Sequence, residues 1–399
     1  MPKHSCDYLI IGGGIMGLAM ARSLRARFPS ASITVIEKES GVAQHASGRN
    51  SGVLHAGFYY SADSLKARFC REGNKAWRAY VQSSGLRMND CHKVVVAQGE
   101  EELPTLHELF KRGQVNGVPL QMVDEKELAE IEPNAKTTRQ AIYSPSTAIV
   151  DPNEACQSLH RDLSAQGVTF HFNTAYENRI NDNTILAGGK RFEAGHIINC
   201  AGLYADRIAR EFGFCEHYAI IPFKGVYLKY SGPDKPIRRC IYTVPNLRNP
   251  FLGVHYSVTV DGTVKIGPTA IPAFWRENYG GLSGFSLPEL LEVLRWETPM
   301  FMFDAAGFRA LAFREMKKYS KQHMASLAAN MVKSIDASRF DTWMRPGIRA
   351  QLIDKRSLKL LHDFVVEGDK SSTHVLNAVS PAFTSSLPFA DWICDERVT

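Results

Sequence analysis

Gly12, Gly14 and Gly17 stand in G-x-G-x-x-G order directly after the apolar run Leu9-Ile10-Ile11. Spaced this way, glycines serve a pyrophosphate. The first permits a tight turn, the second admits the phosphates against the backbone, and the third lets helix and strand close together. The anion then rests on the open N–H groups of a helix N-terminus. Glu37 ends the next apolar run, twenty residues beyond Gly17, where an acid reaches ribose hydroxyls. Lys38 beside it leaves a 2′-phosphate open. A G-x-G-x-x-G alone is weak, but here strand, turn, helix, second strand and terminal acid are all in place, and a bound dinucleotide is expected.

A second stretch, "SGRNSGVLHAGFYY" (residues 47–60), has neither helical nor strand periodicity. Its glycines let the backbone run close to a neighbour. "IINCAGLYAD" (197–206) reads as a strand and turn of the kind that brings a second backbone crossing to a cofactor, or as an ordinary buried strand.

These residues need elements to hold them. The N-terminus reads strand, turn, helix, strand. Helical spacing returns in "SADSLKARFCREGNKAWRAYVQSSG", "HKVVVAQ" reads as a buried strand, and "STAIVDPNEACQSLHRDLSAQG" is another strand-to-helix passage. Residues 220–270 turn strand-rich, 288–335 are mostly helical, and strands return before a final helix after "SPAFTSSL". The order implies an α/β nucleotide-binding domain interrupted by a second domain and completed by the C-terminus. The expected division is 1–90, 146–220 and 345–399 for the first, 91–145 and 221–344 for the second.

Length and composition agree. A chain of 399 residues exceeds one core, and 44% hydrophobic with 22% charged residues is ordinary for a globular protein. The net charge of +6 is mildly basic and spread out, without a nucleic-acid module. Eight cysteines lack a C-x-x-C pair or zinc spacing, so reduced thiols and no metal are expected. A strand begins almost at once, leaving no room for a signal or transit peptide, and no run nears the roughly 20 apolar residues that span a bilayer. A cytoplasmic protein is expected, with peripheral contact to the inner membrane face left open. "GFRALAFREMKKYSKQHM" (307–324) fits either a membrane-surface helix or, preferred, a helix packed on its own domain.

The set "NSGVLHAGFYY", "INCAGLYADRIA", "IYTVPNLRNPFLGVHYSVTVDGTVKIGP", "RPGIRAQLID" and "HVLNAVSPAFTSSL" resembles the FAD-dependent L-2-hydroxyglutarate dehydrogenases and oxidases, members of the D-amino-acid-oxidase-like flavoproteins. The resemblance covers nearly the whole chain. It implies a Rossmann-like FAD-binding domain with an interleaved α+β substrate domain on a mixed antiparallel sheet. It also implies oxidation of L-2-hydroxyglutarate to 2-oxoglutarate by hydride transfer to flavin N5, with a quinone, another respiratory acceptor or oxygen taking the electrons. Carried over, Gly12, Gly14, Gly17, Glu37 and Lys38 hold the ADP half. Ser47, Gly48, Asn50, Ser51 and Gly52 form the loop along the flavin side, and Ala201 and Gly202 the second crossing. Ser380, Thr384 and Ser385 belong to a C-terminal segment whose helix N-terminus faces the isoalloxazine. The chain departs from the family with Lys224 in "PFKG", where an arginine is common, and with bulky Phe383.

Oxidising a 2-hydroxy acid needs a base of near-neutral pKa and cationic or tyrosyl partners for carboxylates. His55 and His255 are the candidate catalytic residues, with the choice of base open. Non-covalent FAD is preferred, a link through His55 being the alternative. Substrate candidates are Tyr60, Lys224, Tyr242, Arg276, Arg345 and Arg349, Arg345 foremost. The competing readings are a flavin enzyme acting on an amino acid or amine, and a non-catalytic flavin-binding scaffold or redox sensor.

Overall fold

The computed structural model describes residues 3–247 and 251–398. Arg248, Asn249 and Pro250, inside one of the motifs above, lie outside the described residues. The chain divides into two compact units, Met1–Asn50 with Pro152–Pro222 and Arg349–Thr399, and Ser51–Asp151 with Phe223–Ile348.

The first unit is built on a sheet in the order Tyr176–Asn181, Thr184–Ala187, Lys190–Asn199, Lys3–Ile11, Ile33–Ile36, Thr169–His171, with Ser372–Val375 also paired to Lys190–Asn199. The centre is parallel: Ile11 lies opposite Asn199 on one side and Ile36 on the other. Its strands read as continuous apolar runs because both faces are covered; Leu9, Ile10 and Val35 are fully buried. The register ends three strands at one level, which gathers Gly12, Glu37 and Cys200 at their C-terminal edge. Helices Ile15–Arg27 and Ala382–Arg397 pack together, with Ser23 Oγ donating to Asp391 (2.8 Å) and Arg27 to Asp395 (2.6 Å).

The second unit is built on an eight-stranded sheet in the order Phe340–Trp343, Leu228–Tyr230, Val264–Gly267, His255–Val258, Cys240–Thr243, Lys93–Val96, Gln140–Ser144, Gln121–Asp124. Alternation along a strand sends neighbours to opposite faces. Ile241 lies opposite Tyr256, and Tyr256 opposite Ile266, so these fill the apolar face. The same pairing puts Cys240 beside Lys93, and His255 and Ser257 beside Gly267 and Lys265, on the other face.

Residues 51–90, expected in the nucleotide-binding domain, fall in the second unit. The cause is local pairing. Val53–Leu54 and Met88–Asn89 both bond to Ala148–Val150. Helix Leu65–Ser83, capped by Ser64 Oγ on the Ala67 N–H, buries Trp77 in the same unit. Helices fill the expected stretch from Leu287 to Ala329.

Candidate active site

In the first unit the glycine turn is shaped for a ligand rather than for packing. Gly12 has φ +108°, and a Cβ there would stand 2.6 Å from the Cys200 carbonyl. Gly17 lies against the Gly12 carbonyl with no room for a side chain. Gly14 caps helix Ile15–Arg27 without a side chain of its own, so apart from the Ile15 N–H the positive end of the helix is left to an anion. Ser47 Oγ accepts from the Ile15 N–H at 2.9 Å, tying the 47–50 loop to the turn. Asn50 Nδ2 donates back to the Ser47 carbonyl at 2.6 Å, and Asn153 Nδ2 to the Gly48 carbonyl at 3.1 Å.

Glu37 accepts from the Gly13 N–H (2.6 Å) through one oxygen and from the Glu39 N–H (2.9 Å) through the other. Each oxygen keeps a second lone pair for a ribose hydroxyl. Lys38 lies over the Tyr204 ring at 5.1 Å and pairs with Glu39 at 3.2 Å. The second crossing is held by Asn199, whose Oδ1 accepts from the Ala201 N–H (3.1 Å) and whose Nδ2 donates to the Ala205 carbonyl (2.8 Å). Gly202 sits at φ +55°. In the C-terminal helix Thr384 and Ser385 are fully buried, Ser380 is exposed, and the Ser385 hydroxyl has no hydrogen-bond partner among the described residues. An open helix end, a side-chain-free turn and an orphaned buried hydroxyl fit a dinucleotide such as FAD.

The chemistry-bearing residues gather in the second unit, on the polar face of its sheet. His255 is buried and stacked on Tyr242, ring centroids 3.7 Å apart. Its Nδ1 is 2.9 Å from the Gly253 carbonyl. A carbonyl only accepts, so Nδ1 carries the proton and Nε2 the lone pair. Lys93 Nζ lies 4.2 Å from the centroid of the same Tyr242 ring, which is therefore sandwiched between ammonium and imidazole. Lys265 donates to the Ser51 carbonyl at 3.2 Å and lies 4.9 Å from the Tyr227 ring centroid. Burial pulls both lysines down to about 8.

His55 follows the short strand Val53–Leu54. Its carbonyl is fixed by Asn74 Nδ2 (3.2 Å) and by the Cys70 thiol (3.4 Å), both from helix Leu65–Ser83. Burial of the ring, then the charge of Lys93 and the nearby His255, hold it well below the ordinary imidazole value. It is a neutral imidazole throughout the physiological range.

Other expected substrate residues are placed differently. Arg276 is buried and commits its guanidinium to Glu292 at 2.8 Å, so it braces the helix Leu287–Met302. Lys224 donates to Asn278 at 3.2 Å and is held below its ordinary value by burial. Tyr60 packs against the apolar core, 6.0 Å below Lys66. Arg345 is exposed, and Arg349 is half-buried on strand Gly347–Asp354. Ser51 and Gly52 open the second unit, with Gly52 accepting from the Val150 N–H at 3.0 Å. Sequence reasoning missed Lys93, Lys265, Ser257 and Tyr59. The available signal was a polar residue at alternate positions of otherwise apolar strands. All eight cysteines are buried and free.

The chain matches the family described as FAD dependent oxidoreductase over residues 7–396. It is 34% identical over 412 residues to the L-2-hydroxyglutarate dehydrogenase of Escherichia coli O17:K52:H18, covering 98% of this chain and 93% of that protein. The mitochondrial L-2-hydroxyglutarate dehydrogenase of Homo sapiens is also 34% identical, over 98% of this chain and 88% of its own. Among solved structures, the L-alpha-glycerophosphate oxidase of Mycoplasma pneumoniae with FAD bound superposes with a TM-score of 0.76 at 22% identity, covering 97% of this chain and 93% of that one. The glycine oxidase of Geobacillus kaustophilus gives 0.74 at 17%, over 99% and 96%. These two likenesses establish the fold. With a fold, a dinucleotide turn and near full-length relatives in agreement, the chain belongs to the FAD-dependent oxidoreductases and, within them, to the L-2-hydroxyglutarate dehydrogenase family.

Proposed function

We propose that this enzyme oxidises L-2-hydroxyglutarate to 2-oxoglutarate, with His255 as the base. The observation that supports it is the His255 tautomer. The Gly253 carbonyl fixes the proton on Nδ1, leaving Nε2 as a lone pair on a ring stacked against Tyr242, which Lys93 also approaches. FAD, when bound, supplies the acceptor for the hydride that leaves the α-carbon. His255 Nε2 takes the hydroxyl proton, so the alcohol loses a proton and a hydride and becomes the ketone. His55, held neutral, offers a hydrogen bond without competing for that proton. Lys265 and Lys93 give the face a positive field for a dianion.

The test is anaerobic mixing of the yellow protein with L-2-hydroxyglutarate. Bleaching of the flavin band by the L- but not the D-enantiomer is expected. Bleaching only by an amine or amino acid would assign the protein to the alternative substrate class, and no bleaching by any donor would leave a flavin-binding scaffold.

For the electrons we propose a quinone at an anionic membrane surface. No helix among the described residues is long and apolar enough to cross a membrane. Yet Leu287, Leu291, Phe301, Phe303, Phe313 and Met316 are exposed, on or beside two packed helices. Phe301 and Phe313 touch edge to face at 5.6 Å, with Arg309 over Phe301 at 5.7 Å. Exposed Arg295, Arg314 and Lys317 sit on the same helices, the mixture an anionic bilayer surface attracts. Helix Phe308–Lys317 packs Phe308, Leu311 and Ala312 inward, as the preferred reading expects, while Phe313 and Met316 face out.

A further inference from the structure

The second unit contains a buried cation with no counter-charge beside it among the described residues. Lys93 is fully buried on strand Lys93–Val96, and its Nζ has no hydrogen-bond partner among the described residues. It is enclosed by aromatic rings: Tyr242 at 4.2 Å, Tyr59 at 5.1 Å and Phe58 at 5.5 Å from the ring centroids. Ring faces attract a cation but do not replace an anion. A buried ammonium is ordinarily paired, because desolvation costs several kcal/mol per ion. The groups with most effect on Lys93 are thiols, those of Cys240, Cys70 and Cys91, with no carboxylate among them. Close by, the Tyr59 hydroxyl is also buried and without a hydrogen-bond partner among the described residues. An orphaned ammonium and an orphaned hydroxyl donor, carried on a ring whose centroid is 5.1 Å from that ammonium, lack one chemical object: an oxyanion that accepts from both.

We propose that Lys93 and Tyr59 form a carboxylate subsite that selects a dicarboxylate over a monocarboxylate substrate. The inference rests on the reading that this enzyme acts on a 2-hydroxy diacid, and it assigns the diacid's second carboxylate. His255 takes the hydroxyl end. The second carboxylate takes a charge-assisted hydrogen bond from Lys93 and a neutral one from Tyr59. The four-carbon lysine stem gives the ammonium freedom to swing from the ring cage to the incoming anion. A monocarboxylate would leave both groups as they are in the ligand-free protein, with the buried charge uncompensated. The penalty for the wrong substrate is thus built into the resting site. Other titratable groups around the pair are Lys66 and Cys70 on helix Leu65–Ser83, Cys91 hydrogen-bonded to Cys240 (3.4 Å), Tyr242, His55, His255 and Lys265.

The experiment measures binding without turnover. Glutarate and butyrate are titrated into the FAD-loaded enzyme by calorimetry. The parent is expected to prefer glutarate by about tenfold or more. Lys93→Met should abolish that preference while butyrate affinity stays within about twofold, and Tyr59→Phe should remove part of it. A parent without preference, or Lys93→Met retaining it, overturns the proposal. Cys240→Ser should leave the preference intact; its loss there would assign the discrimination to the thiol and overturn it equally. Should Lys93→Met lose its FAD or its fold, the parent alone decides through pH. Glutarate affinity should fall above pH about 8 as the ammonium loses its proton, butyrate affinity much less, and a flat glutarate profile refutes the subsite. Failure of L-2-hydroxyglutarate to reduce the flavin would refute the proposed reaction and leave this binding comparison standing.

Discussion

At the scale of single residues, the two histidines differ in what fixes them. His255 is set by a hydrogen bond that decides its tautomer, whereas His55 is set by burial and neighbouring charge that decide its protonation. A proton acceptor needs an oriented lone pair and enough basicity to hold what it takes. Burial and the charge of Lys93 disfavour a proton on His55. His255→Ala is therefore expected to slow anaerobic flavin reduction by roughly 10²–10⁴-fold with FAD still bound. His55→Ala should have the smaller effect. Stopped-flow reduction of the two variants checks the assignment, and the reverse order would exchange their roles. The sequence singles out both residues but leaves their order open. What ranks them is a carbonyl two residues from His255 and a lysine 38 positions along the chain from His55, neither of which a pattern of types reveals.

Among elements, legibility follows the range of the interaction. The turn after Leu9-Ile10-Ile11 is readable because each glycine answers a constraint arising within a few residues, and Glu37 one strand away. The polar face of the second sheet is not. Lys93 and Cys240 become neighbours only because two strands nearly 150 residues apart pair in parallel, and one slip in register would turn Lys93 into the apolar core. Arg276 shows the converse case: a basic residue in a promising segment pairs one guanidinium nitrogen with Glu292. The exposed helix faces lie between these cases. Periodicity predicts an amphipathic helix at 307–324 but does not say that its outer side keeps Phe313 and Met316 bare. Those side chains carry an expectation. The parent should sediment with phosphatidylglycerol vesicles, more weakly at high salt, and poorly with phosphatidylcholine. Phe313→Asp with Met316→Asp should lose vesicle binding and keep anaerobic flavin reduction. A parent that ignores both vesicles, or a self-associating parent made monomeric by the same substitutions, would assign the face to another role.

For the whole molecule, two of the chain's visits to the first unit meet at one buried histidine, and this couples cofactor retention to pH. His374, on the late strand Ser372–Val375, accepts from Asn199 Nδ2 through Nδ1 (3.1 Å) and bonds Ser372 Oγ through Nε2 (3.1 Å). The amide nitrogen only donates, so Nδ1 must stay unprotonated. Burial lowers the group to about 4. The same Asn199 holds the Ala201 N–H and the Ala205 carbonyl, the loop assigned to the second crossing. In the unfolded chain this histidine titrates near the ordinary value, about 6.5. Between about 4 and 6.5 the unfolded state therefore binds a proton that the native state refuses, and stability falls as pH drops through that window. The slope is about 1.4 kcal/mol per pH unit for one such group. His196, buried and likewise lowered, adds in the same direction. Depressed carboxylates such as Asp354 and Asp369 act only below their own ordinary range, about pH 4, so the upper part of the window reports the histidines. Buried Glu297, raised to about 8, acts in the opposite direction over this range, so the test is the difference: in urea unfolding at pH 8, 6.5 and 5 the parent should lose stability relative to His374→Gln in the last interval. FAD fluorescence should appear in the filtrate only as the pH approaches about 4, where protonation of native His374 breaks the Asn199 contact and loosens the loop. Colour retained by the acid-precipitated pellet would instead reveal a bond from FAD to a side chain such as His55. No difference between parent and His374→Gln across pH 6.5 to 5, or FAD retained at pH 4, would show that His374 does not control the loop.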